Sequence, residues 1–139
     1  MTAAEIRQRI EEHIREMNKG NVDELDLILA PGVVRHAPPF PDAVGIGAAK
    51  ELVAPLQTAL PDRHEVVHQL VVEGDTSVAR MTMTGTHRGP HPALGAATGK
   101  KVACDLCWVA RWEGQQVAED WIYADWLGLM QQVGIIPTG

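Results

Sequence analysis

The chain has 139 residues, 45% of them hydrophobic, and a formal net charge of -6. One domain over residues 1–139 is the expectation at that length, with material for a real core. The acidic balance and the scattering of Lys and Arg argue against a nucleic-acid partner, and no apolar run approaches the roughly 20 residues that span a bilayer.

Met1-Thr2-Ala3-Ala4-Glu5 lacks the basic-then-apolar pattern of a secretion signal, so a cytoplasmic location is expected. Thr2 and Glu5 form a capping-box pattern that opens a helix. Ile6, Ile10, Ile14 and Met17 follow at helical spacing as one apolar stripe, and Gly20 ends the helix. Asn21 is placed to cap a second, short helix with Leu25, Ile28 and Leu29 on its apolar side, stopped by Pro31-Gly32. Val33-Val34-Arg35-His36 reads as a brief strand, and Pro38, Pro39 and Pro41 impose a loop. A third helix is expected from about Gly47 to Leu60, kinked or split at Pro55.

After Pro61-Asp62 the period changes. Val66, Leu70 and Val72 alternate with polar residues, and Gly74-Asp75 offers a hairpin turn. Ala79, Met81 and Met83 share one face of the next strand, with Arg80, Thr82 and Thr84 on the other. Residues 88–99 form a Gly- and Pro-rich loop. Val102, Cys104, Leu106, Trp108, Ala110 and Trp112 line one face of a third strand. Glu113-Gly114 turns the chain into a fourth strand, Val117 to about Ala124, and a short helix begins near Asp125. Helices first, then antiparallel strands, indicate an α+β domain. A curved antiparallel sheet wrapped around the N-terminal helices would make a cone-shaped barrel with an internal pocket.

Two metal-like patterns carry little weight. Cys104 and Cys107 lie three apart on a strand and point to opposite faces, so they neither close a disulfide nor share a metal. His64-Glu65-Val66-Val67-His68 matches H-E-x-x-H, but that zinc chemistry needs a helix. On a strand the two histidines stand about 13 Å apart at ~3.3 Å per residue, too far for one ion. No metal is expected.

Three side chains are candidates for proton transfer. His87 ends a strand on the side of Met81 and Met83, and serves either as a proton shuttle or as a structural histidine for the following loop. His36 precedes the proline loop and lies either near the pocket or in water. Asp120 is either solvated on the outer face or partly buried with acid/base capacity, because a bulge would reverse its side. Asp125, with Gly128 three residues on, suits a helix N-cap better than catalysis.

The order Gly74-Asp75-Thr76-Ser77-Val78-Ala79-Arg80, Gly85-Thr86-His87-Arg88-Gly89, Ala97-Thr98-Gly99-Lys100, Glu119-Asp120-Trp121, Asp125 and Leu129-Met130-Gln131-Gln132-Val133-Gly134 resembles the SnoaL-like polyketide cyclases. These are a branch of the nuclear transport factor 2-like superfamily. The resemblance implies the same curved sheet and pocket, a homodimer through the outer sheet face, and no cofactor. The aldol cyclases of that family use an aspartate on the last strand and a histidine on the preceding one. Those positions fall here on Ile122 and Trp108, and neither side chain accepts a proton.

The resulting expectation is a cofactor-independent cyclase or isomerase for a hydrophobic, polyketide-derived small molecule. Acid/base work would fall to His36, His87 or Asp120, with shape control in an apolar pocket. Phe40, Met81, Met83, Leu106, Trp108, Ile122, Tyr123 and Trp126 are expected to bind the substrate. The alternatives are a non-catalytic binding protein of the same fold and an enzyme of the epoxide-hydrolase type.

Overall fold

The computed structural model describes residues 1–138. Thr2 Oγ1 accepts from the Glu5 amide at 3.1 Å and Glu5 Oε1 accepts from the Thr2 amide at 2.9 Å. This closed capping box starts α1, Ala3–Asn18. Ile6, Ile10, Ile14 and Met17 are buried along one stripe, and His13 is buried among them.

The second helix is shorter than its pattern predicts. Val22–Glu24 is one 3-10 turn and α2 spans only Leu25–Ile28. Asn21 does not cap it; its side-chain amide donates to Glu16 Oε2 at 3.1 Å. Leu29 already begins β1, Leu29–His36. Pro31-Gly32 therefore lies inside a strand, where the pairing register shifts between Leu29 and Val34. Proline has no N–H to offer a ladder and is tolerated at such an irregularity.

β2 is Ala43–Val44 and α3 is Ile46–Ala59. Pro55 does not split α3, since a missing N–H removes one hydrogen bond while the flanking turns keep theirs. Four longer strands follow: β3, His64–Glu73; β4, Thr76–Thr86; β5, Lys101–Glu113; and β6, Gln116–Ala124. Asp125 then caps α4, Trp126–Val133, by accepting from the Gly128 amide at 2.9 Å.

The six strands form one sheet in the order β2-β1-β6-β5-β4-β3. The four long strands pair antiparallel as expected, and at one further seam β1 runs parallel to β6, with Arg35 beside Asp120 and His36 beside Trp121. Parallel neighbours need a long crossover, and the chain between residues 37 and 115 supplies it. The sheet is curved but unclosed, with β2 and β3 at its edges, so it is not a sealed barrel.

Two bulges decide which side chains face inward. In β3 the register shifts between Val67 and Gln69, so Val66 is exposed while Val67, Leu70 and Val72 pack on the core. In β6 it shifts between Glu119 and Val117, which pair with Arg111 and Trp112. The extra residue puts Val117, Asp120 and Ile122 on one side. Asp120 is thus interior, and the solvated reading is corrected.

Helix α1 covers the β3 edge. Asn18 donates to Glu65 O at 3.0 Å and accepts from the Glu65 amide at 2.7 Å, while Arg7 donates to Leu70 O. An edge strand so occupied does not offer its backbone to another chain. The core forms two clusters: one joins α1 to Ala79, Met81, Trp108 and Trp112, the other joins Leu60 and Met83 to Leu129 and Val133 on α4.

Arg35 and Asp120 meet inside the sheet seam. Arg35 Nε lies 3.0 Å from Oδ1, and Nη2 lies 2.7 Å from Oδ2. The Trp108 indole N–H donates to the same Oδ2 at 3.0 Å. On the outer face, His36 bridges Glu119 Oε2 at 2.7 Å and Asp42 Oδ1 at 2.9 Å, and its ring stacks on Trp121.

Asp120→Ala leaves a buried guanidinium unpaired and is expected to destabilise the fold by about 3–5 kcal/mol in denaturant unfolding. The double change Arg35→Met with Asp120→Leu is expected to recover most of that loss. The His36 cluster gives a pH signature. Hydrogen bonds to Glu119 and then Asp42 raise the His36 pKa above 6.5, so its contribution is complete below 6.5 and lost as pH rises through the folded value. The bond to His36 lowers the Glu119 pKa below 4.5, so that contribution is complete above 4.5 and lost on acidification. Stability from the cluster is therefore full between pH 4.5 and 6.5. His36→Gln is expected to flatten the alkaline slope in pH-dependent thermal unfolding.

Candidate active site

Between the two core clusters the packing opens into a cavity of about 130 Å³. That is comparable to the roughly 150 Å³ that admits a benzene-sized guest. Met81, Met83, Leu106, Trp108 and Ile122 form its sheet wall, and Leu52, Val53 and Leu56 of α3 close the opposite side. Phe40 and Trp126 also line it, with ring centroids 5.0 Å apart in an edge-to-face contact. His91 stacks on Trp126 at 5.4 Å, completing an aromatic trio. Burial lowers the His91 pKa, and the Ala93 amide donates to its Nδ1 at 3.0 Å.

Four polar residues share this lining: His13, Arg35, Arg63 and Glu65. His13 comes from the apolar stripe of α1 and faces Trp108, with ring centroids 5.5 Å apart. Its Nδ1 stands 3.5 Å from Glu24 Oε1, whose charge is matched by Arg9. Burial, and then the nearby guanidinium groups of Arg35, Arg9 and Arg63, push the His13 pKa down to about 3. At neutral pH it is an uncharged imidazole with one donor and one acceptor nitrogen.

The structure separates the three proton-transfer candidates. His36 lies on the outer face in its carboxylate bridge and does not line the cavity. His87 is fully buried but belongs to the loop framework. Its amide donates to Lys100 O, its carbonyl accepts from the Gly99 amide, and Nδ1 lies 3.0 Å from Thr98 Oγ1. Gly89 lies so close to α3 that a Cβ there would sit 2.3 Å from Thr58 O, which pins the same loop. Asp120 stands behind the wall, engaged by Arg35 and Trp108, both of which line the cavity.

Of the eight residues expected to contact a ligand, seven line the cavity. Tyr123 does not; it is 54% exposed on the opposite face of β6, because its neighbours Ile122 and Ala124 point inward. His13, Arg35, Arg63 and Glu65 are the polar wall residues that sequence reasoning missed. A signal existed for two of them. His13 interrupts the α1 stripe between Ile10 and Ile14, and Glu65 belongs to the H-E-x-x-H pattern set aside with the zinc reading.

Cys104 is buried on the inner face, where burial raises its thiol pKa to about 11, while Cys107 is partly exposed. A thiol so shifted is unreactive at neutral pH. Among the described residues, no group of three or more His, Cys, Asp or Glu side chains is placed to hold a metal ion. Among the described residues, no helix is long and apolar enough to cross a membrane.

TsrD from Streptomyces laurentii has a similar structure, with a TM-score of 0.86 at 29% identity over 98% of this chain and 99% of its own. A candidate polyketide cyclase from Acidithiobacillus ferrooxidans gives 0.82 at 26% identity, over 96% and 97%. AclR from Streptomyces galilaeus, a candidate hydroxylase, gives 0.89 at 22% identity over 99% and 86%, a likeness of fold. No curated protein matches the chain. The family model of the SnoaL-like polyketide cyclases matches residues 4–133, nearly the whole of the sheet and helices just described, and the chain belongs to that family.

Proposed function

We propose that this protein is a cofactor-independent cyclase or isomerase that acts on a largely apolar, polyketide-derived small molecule. The cavity is the observation that supports this reading. Its wall is methionine, leucine and tryptophan, which suits a flat ring system, and a few polar groups are gathered on it. Most of the rate would come from folding a flexible chain into a reactive shape, with proton transfer next to a carbonyl supplying the rest.

In this reading Asp120 acts without touching the ligand. It holds Arg35 and the Trp108 indole in place, and so sets the shape of the wall. His87 holds the loop of residues 88–99, and His36 ties the start of the Phe40 loop to β6. Ile122 and Trp108 favour a second reading, a binding protein without turnover. They occupy the positions where the aldol relatives are expected to carry their acid/base pair.

The cavity reading is tested with 1-naphthol as probe. Saturable quenching of tryptophan fluorescence is expected, since Trp108 and Trp126 line the cavity. Ala124→Phe, which fills part of the space, is expected to weaken binding at least ~10-fold, a loss of about 1.4 kcal/mol. Quenching that does not saturate, or that Ala124→Phe leaves unchanged, would sink the reading. The outer sheet face is the proposed dimer surface, where Tyr123 and Val66 are exposed. Sedimentation is expected to give a dimer at micromolar concentration, and a monomer there counts against it.

A further inference from the structure

Arg63 is an anomaly inside this cavity. It lies just before β3, is only 6% exposed and lines the chamber, yet its Nη2 has no hydrogen-bond partner. A buried guanidinium N–H left unpaired is costly, and native structures rarely keep one without use. Glu65 is the nearest carboxylate, with Oε1 3.6 Å from Nη2, close enough for charge attraction but beyond a hydrogen bond. Glu65 also lines the cavity, and its backbone is clamped on both sides by Asn18.

The other buried charges are already matched: Arg35 by Asp120, and Glu24 by the half-buried Arg9. Among the described residues, the Arg63–Glu65 pair sets a carboxylate beside an unused cationic donor on the cavity wall. We infer that Glu65 and Arg63 are the catalytic pair: Glu65 removes a proton from the carbon next to a substrate carbonyl, and Arg63 binds the oxygen that becomes negative. This rests on the reading of the cavity as a cyclase site. The substrate class it names is an apolar ketone with an acidic C–H beside the carbonyl.

The steps balance in charge. A Glu65 carboxylate oxygen takes the proton. The C–H electron pair becomes the enolate C=C, and the carbonyl π pair moves to the oxygen that Arg63 Nη2 bonds. Neutralising Glu65 frees the guanidinium charge at the moment the enolate forms, so the buried site stays neutral throughout. The enolate carbon then attacks a second carbonyl of the same molecule. A C–C bond forms, the new alkoxide takes the proton back from Glu65, and the carboxylate is restored. His13, uncharged, serves as a further hydrogen-bond partner on the wall.

The test uses 2-indanone, a compact bicyclic ketone with activated CH₂ groups, in D₂O. Wild-type protein is expected to accelerate deuterium incorporation, followed by NMR. Glu65→Gln is expected to lower the accelerated rate about 10²- to 10⁴-fold while tryptophan quenching still reports binding. Arg63→Met is expected to lower it about 10²- to 10³-fold. Glu65→Asp keeps the charge but withdraws the carboxylate by one methylene; partial exchange is expected, and it replaces Glu65→Gln should that variant fail to fold by circular dichroism. Binding of 2-indanone by wild type without exchange overturns the pair and leaves the cavity reading intact. Absence of binding overturns both. Full exchange in folded Glu65→Gln or Glu65→Asp overturns the role of Glu65, and full exchange in folded Arg63→Met overturns that of Arg63.

Discussion

Arg35 and Asp120 sit at the seam where β1, the strand that follows the N-terminal helices, meets β6, the strand that ends the meander. Both are almost wholly buried, and removing two such charges from water costs several kcal/mol each. Two close N–H contacts from the guanidinium and one from the Trp108 indole offset that cost. Apolar pairs in such buried positions are often as stable, so the value of an ion pair here lies in arrangement. It sets the parallel register of β1 on β6, and it fixes the face Trp108 turns to the cavity.

The cavity follows from how the core divides. Helix α1 belongs to one cluster and α4 to the other, and side chains of both, such as Met17 and Leu129, border the gap between them. Large side chains from both clusters border the gap but do not fill it. Three of the four polar groups on its wall are accommodated by their surroundings, and Arg63 is the exception. Arg35 is paired, His13 is held neutral by burial and three guanidinium groups, and Glu65 is positioned by a clamp on its own backbone. The arrangement is electrically balanced, and its largely apolar wall strengthens any hydrogen bond made to a guest.

Set against the family's aldol members, the chain keeps the container and changes its fittings. Ile122 and Trp108 form smooth wall where an acid and a base are expected. The carboxylate that reaches the chamber comes instead from β3, an edge strand, on the side where α1 packs. A carboxylate on another strand would meet a different part of a bound molecule. Relatives of one shape can therefore differ in which bond they make.

Local signals determined much of this protein in advance. The α1 stripe, the two hairpin turns, the Asp125 cap and the alternation of β4 and β5 each depend on neighbours within a few residues, and they are legible for that reason. Parity along β6 was not legible, because a single bulge at Ala118 reverses every side chain beyond it, and nothing in Val117-Ala118-Glu119-Asp120 announces that extra residue. The same is true of the bulge in β3. The parallel partnership of β1 with β6 joins residues 85 positions apart, so only the closed sheet decides it. His13, Arg63 and Glu65 arise from a helix, a turn and an edge strand that converge only in three dimensions. Chain order specified the container, and long-range packing chose which polar groups look into it.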